Sequence, residues 1–570
     1  MKKTLSIIVA IAMILSMSMI SVYAEGIILI APNPNSAPEG TAITTAAEFA
    51  AMAADGKYYL ANDITIDTTY AATFAGTLDG NGKTITTSVP VFAVLGSATI
   101  KNLKLAGNIA IDEAHAGVLT VTVAGESTLV IDNVENNCKL TVAKKNDVGG
   151  FIGVMDYNAC YNTTITIKNS TNNADITGGW RVGGFLGYAP GSDDAAKPFN
   201  MVIDNCVNNG SIYSSESYSG GFVGRFGGTK DISGKCCLTI TNSTNNGKVA
   251  AAISQIGGFA GYVLGKMVVK YCINTADLTA TAGQNMTVGG IIGVSGSETK
   301  NYGDGATVVC CINRGKLSST SKVGGLVGNL GNSKQANGAA LIANCINYGE
   351  LTIENCASGG TTYAGGIAGY MYGGSGEGSN TITNCLNLGK ITGETSAASG
   401  KNYAAGILAY VNGNYITIAN NLNLGEITLT STTTADKFTH TFFNNTTGAG
   451  SEACVNNYSI AVSAQLLEKN GTAANSTTVI TAADAALCEK LGGDWGMGDT
   501  NPVPVMDTTT IGGEGADFSI FEEKPEVTEP ETTEPEVPET PKTCDSTVIF
   551  AVVAVLSILG VAVVAKRREF

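Results

Sequence analysis

Residues 148–187 read VGGFIGVMDYNACYNTTITIKNSTNNADITGGWRVGGFLG. A Gly-Gly block opens this stretch, an Asn-rich block sits inside it, and a second Gly-Gly block closes it. Both blocks return along the chain. The first recurs as VGGFIG (148–153), VGGFLG (182–187), SGGFVG (219–224), IGGFAG (256–261), VGGIIG (288–293), VGGLVG (323–328) and AGGIAG (364–369), with AAGILA (404–409) as a decayed copy. Its doublets are Gly149 and Gly150, Gly183 and Gly184, Gly220 and Gly221, Gly257 and Gly258, Gly289 and Gly290, Gly324 and Gly325, and Gly365 and Gly366. The second recurs as NSTNNADI (169–176), NCVNNGSI (205–212), NSTNNGKV (242–249), YCINTADL (271–278), CCINRGKL (310–317), NCINYGEL (344–351), NCLNLGKI (384–391) and NNLNLGEI (420–427). Weaker copies are NVENNCKL (133–140) and ACVNNYSI (453–460). Gly-Gly blocks begin 32 to 41 residues apart. Two blocks in fixed order at such a period mark a repeat architecture.

Each unit carries three short apolar stretches, such as Leu341-Ile342-Ala343, Leu351-Thr352-Ile353 and Gly366-Ile367-Ala368. Short strands divided by Asn/Gly turns suit a chain that climbs one step per unit. Like positions then stack about 4.8 Å apart. A helical solenoid fits badly, because the units lack a long 3.6-residue period and are rich in glycine. The fold expected is all-β: a right-handed parallel β-helix, its hand taken from the crossover rule, with terminal caps.

Three columns follow from the stacking. Asn136, Asn172, Asn208, Asn245, Asn274, Asn313, Asn347, Asn387, Asn423 and Asn456 form a ladder, read as structural, since asparagine suits turns and its amide can bond the one above. Cys206, Cys272, Cys311, Cys345, Cys385 and Cys454, with Ser170, Ser243 and Asn421 between, read as inward-facing small residues. Stacked parallel strands orient their side chains alike, which is poor disulfide geometry. Cys236-Cys237 and Cys310-Cys311 each place one thiol outward. No C-x-x-C spacing points to a zinc site. Lys139, Asp175, Ser211, Lys248, Asp277, Lys316, Glu350, Lys390 and Glu426 alternate in sign, which favours one register over a slip.

The paired blocks resemble the GLUG-motif repeat of bacterial surface proteins, over about residues 133–460. That resemblance implies surface display; some members are adhesins and others are attached to immunoglobulin-A peptidases. LDGNGKTI in the first coils resembles the opening of pectate-lyase-like β-helices, which include binders and enzymes.

Glycine is 71 of 570 residues and charged residues are 14%. The formal net charge is −15, which excludes a nucleic-acid binder built on a basic surface. A hydrophobic content of 44% is enough to bury a core.

The two ends read as addresses. Lys2 and Lys3, the apolar run from Leu5 to Ile20 and the small residues at Val22-Tyr23-Ala24 make residues 1–24 a secretory signal peptide. Thr547 to Ala565 is an uncharged apolar run long enough to span a bilayer as a helix of about 28 Å. Lys566, Arg567 and Arg568 follow it and keep that end cytoplasmic. Residues 514–543 form a Pro/Glu/Thr-rich stalk, including KPEVTEPETTEPEVPETPKT (524–543), which repels itself and stays extended. Pro541, Lys542, Thr543 and Cys544 before the apolar run and basic tail resemble the sorting signal of Gram-positive surface proteins. In that family a sortase cleaves a Leu-Pro-x-Thr-Gly motif and joins the threonine to peptidoglycan. Here Thr540 replaces the usual Leu or Asn and Cys544 the usual Gly, which leaves wall linkage and a plain membrane anchor (residues 544–570) both open. The body is displayed outside the cell in either case.

Residues 25–132 read as an N-terminal cap and first coils, with Ala46 to Ala54 as a helical plug. Residues 461–513 read as a C-terminal cap, with a helix over Ala482 to Leu491. Solenoids need such ends.

Catalytic signals are weak. Asp193-Asp194 reads as a solvated loop and Asp79 as a turn residue. His115 and His440 lie at opposite ends of the repeat, so neither suggests a shared base. Arg181, Arg225 and Arg314 are the arginines of the body and form no cluster in sequence. No cofactor, metal or catalytic residue is assigned. The leading expectation is a non-catalytic, adhesin-like display protein that binds glycan or an extracellular protein. Tyr213, Tyr218, Tyr363, Tyr370, Tyr372, Tyr403 and Tyr410 are its exposed candidate contacts. The alternatives are a carbohydrate-active enzyme (lyase or glycoside hydrolase) on the same scaffold and a purely structural spacer.

Overall fold

The computed structural model divides into residues 1–521 and 522–570. It describes residues 38–504 except 113–114, 144–146, 156–159, 192–197, 228–235, 281–285, 297–304, 331–339, 355–360, 373–379, 396–401, 413–415, 432–436, 441–442, 446–452, 461–476 and 492–494, with backbone alone at a few further positions. Those include the antiparallel strands Ser21–Tyr23 and Gly26–Ile28. The apolar core of the expected signal peptide, the stalk, the sorting-signal-like residues Pro541 to Cys544, the C-terminal apolar run and Asp193-Asp194 all lie outside the described residues. Among the described residues no helix is long and apolar enough to cross a membrane.

One coil shows the plan. Thr163–Lys168, Thr171–Asn172 and Ile176–Gly178 lie in a broad sheet. Arg181–Gly183 then runs into the Gly doublet in a ten-stranded ingoing sheet. Leu186–Ala189 leaves it in a twelve-stranded outgoing sheet. Every segment pairs in parallel with its equivalent one coil on: Thr163 with Phe199, Asn172 with Asn208, Ile176 with Ile212, Val182 with Ser219 and Leu186 with Val223. This is a parallel β-solenoid. Strands buried on one face with apolar residues at alternate positions account for it.

The interior is stacked by residue type. Ile165, Ile167, Ile176, Val182 and Leu186 are fully buried. Phe151, Phe185, Phe222 and Phe259, one per doublet, stack with centroids 4.8, 4.8 and 4.7 Å apart. Opposite them runs the asparagine ladder, also fully buried. Asn172 Nδ2 donates to Asn208 Oδ1 at 2.8 Å and to the Ala174 carbonyl at 3.0 Å. The same two bonds recur through Asn245, Asn274, Asn313, Asn347 and Asn387. Each amide hydrogen therefore has a partner, which is what burial of an amide requires.

The ladder explains the doublet. A Cβ on Gly184 would fall 2.7 Å from Asn208 Oδ1 and 2.2 Å from the Gly221 carbonyl. The chain dips inward at the doublet until its backbone meets the ladder on the far wall, and only glycine fits there.

The cysteine column points inward. Cys206, Cys272, Cys311, Cys345 and Cys385 are fully buried free thiols. Each hydrogen-bonds the carbonyl two residues back, as Cys345 Sγ does to Ala343 O at 3.1 Å. Ser170 and Ser243 make the same bond at 2.7 Å. In the charged column, Lys316 pairs with Glu350 at 3.4 Å and Lys390 with Glu426 at 3.3 Å.

The last coil corrects the sequence alignment by three residues. Ala453–Val455 pairs with Thr417 to Ala419, and Asn423 pairs with Ser459. Ser459, not Asn456, therefore ends the ladder, accepting from Asn423 Nδ2 at 3.1 Å. Asn457, not Cys454, follows Asn421 in the inward column, to which it is bonded at 3.1 Å. Asn456 instead joins Asn420 outside, at 3.2 Å.

Both closing segments bury apolar residues. The helix α1 (Ala46–Ala50) starts at a Thr45–Glu48 capping box and sets Phe49 against Tyr70 and Phe92, at 6.2 and 5.7 Å. At the other end Thr477–Ile480 adds one more strand to Asn457–Ile460. Helix α2 (Ala485–Leu491) and the antiparallel pair Trp495–Met497 and Pro502–Pro504 follow. They do not simply close the end. Leu487, Leu491, Trp495 and Val503 join Val309, Cys310, Ile312, Ile346, Leu386 and Leu422 in one apolar cluster on the outer side of the turns. Trp495 Nε1 donates to the Asn420 carbonyl at 3.1 Å. Cys310, although it points outward, is thus fully buried.

Candidate functional site

The site is built by the two residues that flank each Gly-Gly block, seven positions apart. In the ingoing strand, Arg181 and Gly183 share the side opposite Val182. In the outgoing strand, the residue after the block faces them. A Cβ on Gly183 would fall 2.2 Å from the Leu186 carbonyl, and one on Gly187 2.5 Å from the Val148 nitrogen. The two sheets therefore touch backbone to backbone along the glycines. The larger side chains that flank the glycines meet one another along a lateral seam that runs from coil to coil.

One wall of the seam is the column His115, Asp147, Arg181, Tyr218, Gln255, Thr287, Lys322, Tyr363 and Tyr403. The other is Thr122, Val154, Tyr188, Arg225, Tyr262, Val294, Asn329, Tyr370 and Tyr410. The seam carries two clusters of chemistry.

The first is charged and aromatic. Asp147 is fully buried, with Arg181 Nε at 2.5 Å from Oδ1 and His115 Nδ1 at 3.1 Å from Oδ2. The Arg181 guanidinium lies 3.8 Å from the Tyr188 ring and 4.2 Å from the Trp180 ring. Arg225 lies 5.4, 5.4 and 5.3 Å from the rings of Tyr188, Tyr218 and Tyr262. Such contacts are favourable because ring faces are electron-rich, and more so when desolvated. Burial pushes the Tyr188 hydroxyl above the ordinary phenol value, against the opposing pull of Arg225 and Arg181.

The second cluster is mainly tyrosine, with Lys322 Nζ 5.3 Å from the Tyr370 ring. Tyr363 stacks on Tyr403 at 5.4 Å and Tyr370 on Tyr410 at 5.1 Å. Across the seam Tyr363 meets Tyr370 edge-on at 5.0 Å and Tyr403 meets Tyr410 at 5.2 Å. Tyr372 joins Tyr370 at 4.9 Å. Burial pushes the hydroxyls of Tyr370 and Tyr403 above the ordinary phenol pKa.

Several sequence expectations change here. His115 is not isolated: stacking brings it to Asp147 and Arg181, so an acid–base cluster exists where the sequence suggested none. Of the seven tyrosines expected to be exposed, Tyr213 alone is exposed, at 37%, and it lies on the broad sheet away from the seam. The others line the seam or adjoin it, buried or half-buried. Tyr188 and Tyr262 escaped attention although they occupy the same flanking position. The constant spacing of seven around each doublet was the available signal.

Asp79 holds a turn: it accepts from the Asn81 backbone at 2.8 Å and from Asn102 Nδ2 at 3.1 Å, and pairs with Lys101 at 3.2 Å. It borders a cavity of about 780 Å³ on the first coils, shared with Glu39, Lys57 and Asn133. Its polar side chains satisfy one another, so the cavity offers a ligand less than the seam does. Arg314, the third arginine, sits over Tyr348 on the outer turn at 5.4 Å, away from the seam. Among the described residues no group of three or more His, Cys, Asp or Glu side chains could hold a metal ion.

No family model and no curated protein matches this chain. Among solved structures, a "putative immunoglobulin A1 protease" from Bacteroides ovatus is similar at 17% identity, over 43% of this chain and 85% of that one, with a TM-score of 0.33.

Proposed function

We propose that this chain is a non-catalytic display protein of the cell surface, adhesin-like, whose seam binds glycan or an extracellular protein. The supporting observation is the seam itself. Seven tyrosines from five coils converge on one lateral line, with cations among them. A stack of rigid amphipathic rings is the surface composition that recognition sites favour. The right-handed winding, the secretion signal and the C-terminal anchor, with or without sortase attachment to peptidoglycan, belong to the same reading. They rest on the sequence patterns at the two ends and on the crossover rule.

The test is binding of the full chain to an array of neutral and acidic glycans, alongside Tyr403→Ala/Tyr410→Ala. Binding that drops at least about tenfold in the double variant supports the reading. Binding unchanged by that variant and by Tyr218→Ala would remove the seam from it, and no binding to glycan or extracellular matrix protein would leave a spacer.

A second reading is favoured by one observation: His115, Asp147 and Arg181 place a base, a carboxylate and a cation together. On that reading the chain is a carbohydrate-active enzyme. New reducing ends or unsaturated products from plant or mucin polysaccharides, lost in Asp147→Asn, would establish it.

A further inference from the structure

Among the described residues, Arg225 is a buried seam cation that makes no ion pair. Asp147 is the carboxylate of this cluster, and it is already held by Arg181 on one oxygen and His115 on the other. Arg225 lies one coil further on, 8% exposed. Its Nε has no hydrogen-bond partner among the described residues. Its surroundings are the rings of Tyr188, Tyr218 and Tyr262. Tyr188 already carries Arg181 at 3.8 Å, so two guanidinium groups share one ring. A buried cation without an anion is costly, and ring faces offset only part of that cost. Among the described residues the cage therefore holds a positive charge without neutralising it.

This deepens the seam-binding reading and rests on it. We propose that the Arg225 cage is the point at which the seam takes a carboxylate carried on a sugar ring, as in a uronic or sialic acid. The guanidinium fork matches a carboxylate with two parallel hydrogen bonds. Tyr218 and Tyr262 are half-buried and stacked 5.2 Å apart, so their outer edges reach the surface beside the cation. They give the apolar C–H face of a pyranose a flat wall while its carboxylate meets Arg225. The overall charge of −15 does not oppose this, because at physiological salt charges beyond about 8 Å are largely screened.

The test compares affinities of the full chain for polygalacturonate and its fully methyl-esterified form, for sialyllactose and lactose, and for poly-glutamate. The acidic member of each sugar pair should bind about tenfold tighter or more. Arg225→Gln should abolish that preference, Arg225→Lys should keep only part of it, and Arg314→Gln should leave it intact. The ester comparison uses the unaltered chain and decides even where Arg225→Gln fails to fold. Equal binding of acidic and neutral sugars overturns this proposal and leaves the seam as a glycan surface. Poly-glutamate bound more tightly than either acidic sugar overturns it in favour of an acidic peptide. No binding to any sugar overturns it together with the glycan reading of the seam.

Discussion

The outer side of the Asn-rich turns differs between the two halves of the solenoid. In the first half, Asn137, Asn173, Asn209 and Asn246 stand exposed and bond from coil to coil at 2.9, 2.8 and 2.9 Å. In the second half the same position holds Arg314, Tyr348, Leu388 and Leu424, all half-buried. Two residues earlier, Thr171, Val207 and Thr244 give way to Ile312, Ile346, Leu386 and Leu422, which are fully buried. The inner wall does not change: the buried asparagine ladder runs through both halves with bonds of 2.7–2.8 Å. The inside of a coil is thus set by the solenoid, and the outside by what lies on it. The apolar outer stripe packs in one cluster with Leu487, Leu491, Trp495 and Val503 of the C-terminal segment.

The largest effect should come from the inner ladder and should be the same in both halves. Asn208→Ala and Asn347→Ala each strand buried amides on two neighbouring coils, at a cost of about 2–4 kcal/mol. Chemical denaturation of the two variants should give similar losses; a large difference would mean that the halves differ inside as well.

Next is Leu491→Ala, which should cost about 2–3 kcal/mol, and only where the stripe is covered. Hydrogen exchange should rise over residues 309–424 and stay unchanged over 133–246. A uniform rise across the solenoid would contradict a local cover. Trp495→Phe removes the indole bond to the Asn420 carbonyl and should cost about 1 kcal/mol, seen as a smaller rise in exchange over the same residues. Asn209→Ala, on the exposed ladder, should shift stability by less than about 0.5 kcal/mol, a change within the scatter of thermal melts.

The sequence made some of this architecture easy to read. Asparagine, glycine and cysteine repeat in phase because the inner wall tolerates few residues: the ladder takes an amide at every rung from Asn136 to Asn423, and Gly184 has no room for a Cβ. The seam was hard to see for the opposite reason. Its walls carry Asp147, Arg181, Gln255, Thr287 and Lys322 at one equivalent position, so no column of like residues marks it, and only the spacing around the doublets is constant. The slip in the last coil arose because Val455-Asn456-Asn457 copies Val207-Asn208-Asn209 in residue type, while the ladder position itself holds Ser459. Strand pairing at Ala453–Val455 and at Ser459 fixes the register, and that depends on backbone hydrogen bonds rather than on residue type. The return of the C-terminal segment was hidden because the repeat fades before it begins. The change from Asn209 to Leu388 at one outer position was its trace.

Cys310 and Cys311 bring the two sides of the wall to adjacent residues. Cys311 points into the core, and Cys310 points out into the apolar cluster that α2 joins, its thiol pushed up to about 12 by burial. Alkylation of the native chain, read residue by residue by tandem mass spectrometry, distinguishes them from the half-buried Cys237. Cys237 should label while Cys310 and Cys311 stay protected, and Leu491→Ala should release Cys310 alone. Labelling of Cys310 in the unaltered chain, or release of Cys311 together with it, would contradict a wound wall with its own C-terminal segment lying on the outside.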